Sequence, residues 1–445
     1  MNRLFLSACV IMACAGRTEE SERVLTFSGS ALGAEGEVLR RQIARFMQGN
    51  PGLRVEIQRT PDDATQRHQL YVQWLNARAG DPDILQLDVV WTAEFAAAGW
   101  ILPLDRFSPP VADFFPATIQ ANRWGTRLFA LPWFVDVGLL YWRTDLLDDP
   151  PSSMEELVRL ADACSTDPRV STTDARVRCP GDSKIGPLAQ RRVPAFGIVW
   201  QGARYEGLVT VFVEYLGAFG GRILDDAGRV VVDSPEAVRA LAFMRDQLYG
   251  SGVAPREVLT WHEEETRFAF QNGNAVFMRN WPYAAGLLGD SSVSRVAGRF
   301  SIAPMPGGSG GKSTATLGGA PLAINAHTEL PDEAYALIAF LTEPEQMLER
   351  AEVVKQYPTR HAVYDDPRLA RALDVPVDQV RRAVQSATPR PVIPIYTQLS
   401  ELLQIQLHRA LVRQASPEEA LRIAAREMNE LIERTRVREA AARIQ

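Results

Sequence analysis

Asp81-Pro82-Asp83-Ile84-Leu85-Gln86-Leu87-Asp88-Val89-Val90-Trp91 joins a turn signal to a short apolar run and ends that run on an acid. Asp-Pro-Asp punctuates the chain, and Ile84 to Leu87 is strand-sized rather than helix-sized. Upstream, Val24 to Ser28 is β-prone, Glu37 to Met47 is helical until Gly49-Asn50-Pro51-Gly52 stops it, and Leu53 to Gln58 alternates as a strand. A further helix sets Leu70 and Trp74 four apart on one face. Alternation of this kind predicts an α/β fold with a parallel sheet and covering helices. Asp88 falls just past the carboxyl end of its strand, where open α/β sheets hold ligands. It could also cap a helix opening at Trp91.

Downstream the texture becomes more helical. Helices are predicted over Ser152 to Ala163, Pro235 to Tyr249, Glu263 to Gln271, Pro331 to Thr342, Ser400 to Val412 and Pro417 to Arg434, with a strand over Ala275 to Met278. Residues 303–319, rich in Gly and Pro, read as a loop crossing between units. At 445 residues, one hydrophobic core is outgrown and about two or three domains are expected. The net charge of −6 argues against a nucleic-acid partner.

Residues 1–13 pair a short positive start with an apolar run from Leu4 to Ala13, as an export signal does. Ile11-Met12-Ala13-Cys14 resembles the bacterial lipobox, which implies lipidation at Cys14, with residues 14–23 as a polar tether. No later segment has the roughly 20 continuous apolar residues of a membrane span. Cys164 and Cys179 would remain in an oxidising setting and are expected to pair, closing a loop worth about 3 kcal/mol. A zinc site there lacks two further ligands nearby.

Leu131-Pro-Trp-Phe-Val-Asp136-Val-Gly-Leu-Leu-Tyr-Trp-Arg-Thr-Asp145 holds a lone carboxylate in an apolar, aromatic run. Asp136 needs a cation such as Arg143, a set of donors, or a hydroxyl-rich ligand, because an unpartnered buried charge costs several kcal/mol. Two decoys occupy the Gly-rich loop. Gly307-Gly308-Ser309-Gly310-Gly311 has the spacing of a nucleophile elbow without the strand and helix such an elbow needs. Gly311-Lys312-Ser313 fits a phosphate-binding loop only in part, since Pro306 stands where its first glycine belongs. The five histidines show no metal-ligand spacing, so neither a metal nor any other cofactor is expected. What remains is a dispersed set of acids and aromatics: Glu35, Asp88 with Trp91, Trp133 and Asp136, Tyr205-Glu206, and Trp281-Pro282-Tyr283. Sugars suit that set, because adjacent hydroxyls donate to one carboxylate while the C–H face of the ring lies on an aromatic plane.

The chain resembles the extracellular solute-binding proteins of ABC importers, within the trehalose/maltose-binding branch of the maltose-binding-protein family. The matching stretches are Asp81 to Asp105, Ala130 to Leu147, Val199 to Tyr215, Arg279 to Ala284, Ala315 to Gly319 and Thr388 to Pro394. The resemblance implies a two-lobe periplasmic-binding-protein fold of type II, with a hinge and an interlobe cleft. It implies an N-terminal lobe over 24–134 plus 322–375 and a C-terminal lobe over 137–318 plus 380–445. Glu35, Arg67 and Asp88 become ligand contacts of the N-lobe, beside Trp91, while Asp136 lies at the first crossing with Phe134 as a wall. Trp281 and Tyr283 supply the stacking platform, Gly318 and Gly319 backbone contacts at the second crossing, Arg390 a late donor, and Glu206 a contact or a support. Close trehalose/maltose binders carry a tryptophan after the Gly-Gly pair, whereas this chain has Ala320. The implied protein is a monomeric, lipid-anchored, non-enzymatic receptor at the outer face of the cytoplasmic membrane or in the periplasm. It would deliver a disaccharide or short α-glucoside to permease subunits. A glycoside hydrolase, which also sets paired carboxylates beside aromatic rings, and a receptor for a non-sugar solute are the alternatives.

Overall fold

The computed structural model describes residues 22–29, 33–61, 64–165, 193–309, 311–373 and 375–442. Its strands, in chain order, are β1 (Arg23–Gly29), β2 (Leu53–Arg59), β3 (Ile84–Gln86), β4 (Arg123–Trp124), β5 (Arg127–Leu128), β6 (Ala130–Val137), β7 (Leu139–Arg143), β8 (Phe196–Val199), β9 (Ala275–Asn280), β10 (Phe300–Pro304), β11 (Ala315–Ile324) and β12 (Ala387–Thr388). They form two main sheets and one small hairpin, β4 with β5.

The first sheet runs β12-β11-β3-β1-β2, with β6 also paired to β11. The strands read from the N-terminal alternation, β1, β2 and β3, are parallel, and β11 enters antiparallel beside β3. Period-2 alternation explains why this sheet is covered on both faces. Ile84, Leu322 and Ile324 pack with Leu39, Ile43 and Leu337, whereas their neighbours Leu85 and Ala323 pack on the other side with Tyr71, Leu75 and Phe95. Each such fully buried large side chain contributes about 1.5–3 kcal/mol.

The second sheet runs β10-β7-β9-β8. Helices Met154–Ser165 and Glu206–Ala218 share one core with Leu139, Leu140, Ile198, Val276 and Phe277 from its strands. Helix Pro235–Tyr249 begins where the sequence indicates, because Ser234 Oγ accepts from Ala237 N at 3.3 Å and Pro235 has no amide hydrogen to leave unpaired.

The chain crosses between sheets at Gly138, where β6 gives way to β7, and again between β10 and β11. Beyond β12 it continues into helices Tyr396–Leu411 and Pro417–Ala442, which pack against Glu206–Ala218 and Pro235–Tyr249. The loop expected over 303–319 ends early, because β11 begins at Ala315 and contains both Gly318 and Gly319. Pairing with β6 over Leu317–Ala323 overrides the weak strand preference of the two glycines. Among the described residues no helix is long and apolar enough to cross a membrane. Cys164, buried on helix Met154–Ser165, is disulfide-bonded, while Cys179 and Cys14 lie outside the described residues.

Candidate ligand-binding site

Three of the expected acids come from the first sheet, the turn that follows one of its strands and a helix that covers it. Glu35 lies in the first turn of helix Gly33–Gly49, Asp88 follows β3, and Asp136 lies near the end of β6. Two backbone bonds gather them: Val89 N donates to Gly319 O at 3.2 Å, and Val135 N to Tyr357 O at 3.0 Å. The first ties the Asp88 turn to β11, directly opposite β6. The second pairs Tyr357 with the residue before Asp136, and Gln356, next to Tyr357 in the chain, donates from Nε2 to Glu35 Oε1 at 3.2 Å. The consequence is electrostatic. Asp136 keeps some accessible surface on β6, yet the protein packed around it, then the charges of Glu35 and Asp88, push its carboxyl up to about 7.

Among the described residues no cation offsets that push. Arg143, the alternative partner read from sequence, is committed to Asp145 in a two-pronged pair at 2.6 and 2.7 Å. Asp88 is not a helix cap: helix Thr92–Ala97 has Trp91 at its cap position, and Asp88 Oδ1 accepts from Val90 N at 3.1 Å. Its carboxylate stays partly exposed, 3.7 Å from Arg390 Nη2.

Arg390 is nearly enclosed and bridges the two sheets. Nη1 donates to Glu206 Oε1 at 2.6 Å and Nη2 to Leu317 O at 3.4 Å. Burial opposes its charge, but Tyr396, Glu206 and Asp88 outweigh that effect and raise its pKa. Glu206, first residue of helix Glu206–Ala218, also accepts from Tyr396 Oη at 2.6 Å and from Ser400 Oγ. With three donors already engaged, Glu206 acts on the site through Arg390.

The aromatic residues divide into two groups. Trp281 is partly exposed and leans on the second crossing: a Cβ built on Gly318 would lie 3.4 Å from Trp281 Cζ3 and 3.4 Å from Asp136 Cβ. Phe134 is partly exposed on β6, and Tyr283 is exposed with its hydroxyl donating to Glu264 Oε1 at 2.7 Å. Trp91, by contrast, is packed with Phe95 at 6.2 Å between centroids and with His68 at 5.1 Å, and is 5 % exposed. Arg67 lies over that ring at 5.5 Å and donates to Pro61 O, itself only 8 % exposed. The structure therefore gathers Glu35, Asp88, Asp136, Gly318, Gly319 and Trp281, and sets Trp91 and Arg67 in the packing behind Asp88.

Sequence reasoning missed Glu263, Gln356 and the buried pair of Glu214 with Arg279. Trp281 Nε1 donates to Glu263 Oε1 at 3.4 Å, and burial together with the Glu263 charge raises the pKa of Tyr205. Glu263 opens a run of three glutamates at a helix start, where first-turn acids are ordinary, so nothing in the sequence separated it from its neighbours.

The chain and its two-lobe fold have parallels among known proteins. Residues 30–348 match the family described as Bacterial extracellular solute-binding protein. The probable ABC transporter-binding protein of Deinococcus radiodurans is 33 % identical over 423 residues, covering 92 % of this chain and 94 % of that protein. Among solved structures, maltose-bound T. maritima MalE3 is 41 % identical with a TM-score of 0.77, covering 92 % of this chain and 99 % of that one. The GacH receptor of Streptomyces glaucescens GLA.O, solved unliganded and with acarbose, shares the fold at 22 % identity and a TM-score of 0.74, covering 93 % of this chain and 99 % of that chain. The chain is a binding protein and not an enzyme. It belongs to the bacterial extracellular solute-binding protein family and has the two-lobe, type II fold of that family's maltose-binding members.

Proposed function

We propose that this protein captures a disaccharide or short α-glucoside between its lobes and delivers it to the permease of an ABC importer. The observation that carries this reading is the meeting of Glu35, Asp88 and Asp136 beside the Trp281 ring at the strand crossings. Hydroxyl groups donating to those carboxylates supply the partners that Asp136 lacks among the described residues, each charge-assisted bond contributing about 1.5–3 kcal/mol. The ring receives the C–H face of the sugar. Maltose in the MalE3 relative supports the same ligand class. Ala320, buried and opposite Phe134, stands where a tryptophan is expected, which favours a reshaped pocket end and leaves room for trehalose-, maltose- or sucrose-like ligands.

On this reading the lobes comprise residues 24–134 plus 322–375 and 137–318 plus 380–445, and they close because only the closed state lets both contact the ligand. The receptor is a monomer, exported by residues 1–13 and held by lipid on Cys14 at the outer face of the cytoplasmic membrane or in the periplasm, with Cys164 paired to Cys179. Calorimetry against maltose, trehalose and sucrose tests the ligand class, and no heat with any glucoside overturns it. Radiolabelled palmitate incorporation, lost in Cys14→Ser, tests the anchor.

A further inference from the structure

Behind Trp281 lies an ion pair that the ligand-binding reading does not use. Arg279 Nε donates to Glu214 Oε2 at 2.9 Å and Nη2 to Glu214 Oε1 at 2.5 Å, and both side chains are 0 % exposed. Gln201 locks the arginine further, accepting from Nη1 at 3.2 Å while its own Nε2 donates to Arg279 O at 3.1 Å. A fully buried ion pair is a poor device for stability alone, because desolvation consumes most of its Coulombic gain and apolar replacements often stabilise as well. Its surroundings suggest another role.

Each end of the pair touches something that matters to binding. The Arg279 guanidinium lies 4.0 Å from the centroid of the Trp281 ring. At the other end, Glu214 Oε1 accepts from Thr316 N at 3.3 Å, at the start of β11, and Thr316 Oγ1 donates to Thr210 O at 2.7 Å on the same helix as Glu214. The first crossing is pressed against the pair as well. A Cβ on Gly138 would lie 1.7 Å from Glu214 Oε1 and 2.7 Å from Arg279 Nη2, so only glycine fits there. Gly138 N in turn donates to Thr316 O at 3.4 Å, joining the two crossings. Ring, guanidinium, carboxylate and both crossing strands thus form one contiguous set of contacts.

We infer that Glu214 and Arg279 are positioning residues that hold the Trp281 ring in register with both strand crossings, so that a ligand seated on the ring is coupled to closure of the lobes. This inference rests on the sugar-receptor reading above. Fixing the ring against the hinge strands means that ligand contact on its open face acts directly on the segments that must rotate.

The test compares wild type, the charge-neutral pair Glu214→Gln with Arg279→Met, and the conservative Arg279→Lys. Each is measured by thermal melting, by maltose calorimetry and by the small-angle scattering radius of gyration with and without saturating maltose. We expect the variants to melt within about 5 °C of wild type, to bind about tenfold more weakly or worse, and to compact less than wild type even when saturated. Compaction at saturation is the deciding readout, since a merely structural pair would change affinity without changing the closed state that ligand reaches. Full wild-type compaction in both variants overturns the coupling. Should the double variant fail to fold, Arg279→Lys decides alone: it retains the charge and loses the planar face, so reduced compaction supports the inference and full compaction overturns it. Wild type that binds no sugar in the panel overturns the receptor reading and this inference together, an outcome distinct from wild-type binding with unaltered variants.

Discussion

Asp136 and Gly318 stand directly opposite each other on the antiparallel strands that form the two crossings, with the Trp281 ring beside them. Gly318 has ordinary room for a Cβ, at 3.4 Å from its nearest neighbours, and that room adjoins both the acid and the ring. Gly319 has none: its φ is +109°, and a Cβ would lie 2.3 Å from Phe134 O. The two glycines should therefore fail differently. Gly319→Ala is expected to lower stability by about 1–3 kcal/mol, the cost of forcing a side chain into such a backbone conformation. Gly318→Val should fold with little change in melting temperature and lose maltose affinity by about tenfold or more, because its methyls occupy ligand space. Equal melting of the two variants would refute the distinction.

Asp136 also predicts a pH dependence with a definite sign. Its carboxyl titrates near 3.8 when free and at about 7 when folded, raised by burial and then by Glu35 and Asp88. Between those values the folded chain holds a proton that the unfolded chain has released, so this contribution to stability is fully present below about pH 4 and lost as pH rises through about 7. Asp136→Asn should consequently raise the melting temperature relative to wild type at pH 8, with the gain shrinking toward pH 5. A gain that is equal at both pH values would remove the effect from Asp136.

Ligand binding should run the other way. Sugar hydroxyls favour the ionised carboxylate, so binding lowers the Asp136 pKa and releases a proton near pH 7. Calorimetry of maltose binding in two buffers of different ionisation enthalpy should show net proton release at pH 6.5 that disappears in Asp136→Asn. Proton uptake, or no linkage, contradicts the expectation.

The acids were legible because their signals are local. Asp88 ends an apolar run after a turn, and Asp136 interrupts one, so strand periodicity alone marks each as needing a reason. Helix starts at Pro235, Glu263, Pro331 and Pro417 were legible for the same reason, since proline and first-turn acids act within a single turn. Partnership across the chain was not legible. The start of β11 was hidden because Gly318 and Gly319 read as loop until β6, more than 170 residues earlier, is placed alongside. Arg67 enters the site through the family resemblance and Trp91 through its type beside Asp88, but the helix and turn that carry them face the layer of Tyr71 and Phe95. Glu214 and Arg279 lie 65 residues apart in unremarkable helix and strand patterns, and only the fold pairs them.

Arg390 is held by Glu206 and faces Asp88, and this gives it two separable duties. Arg390→Met removes the bonds to Glu206 and Leu317 and leaves Glu206, about one third exposed, with Tyr396 and Ser400 as partners. Water can therefore reach the abandoned carboxylate, so the stability loss should stay near about 1–3 kcal/mol, below that of breaking a fully buried pair. Denaturant unfolding reads that loss, and calorimetry should show maltose affinity falling as well. A variant with wild-type stability would mean that the Arg390–Glu206 bridge carries no net weight.

Trp281 and Trp91 provide the sharpest contrast, because one ring is packed and the other partly open. Trp91 is enclosed by Phe95, His68 and Tyr71, so Trp91→Ala opens a cavity and should cost about 3–5 kcal/mol of stability. Trp281 rests on Arg279 and borders Gly318 while part of its surface stays free. Trp281→Ala should fold, and should lose maltose affinity by about tenfold or more, equivalent to about 1.4 kcal/mol. Denaturant unfolding separates the first effect and calorimetry the second. If Trp281→Ala bound maltose as tightly as wild type, the stacking platform would have to lie elsewhere, with Phe134 or the exposed Tyr283 as the next ring to truncate.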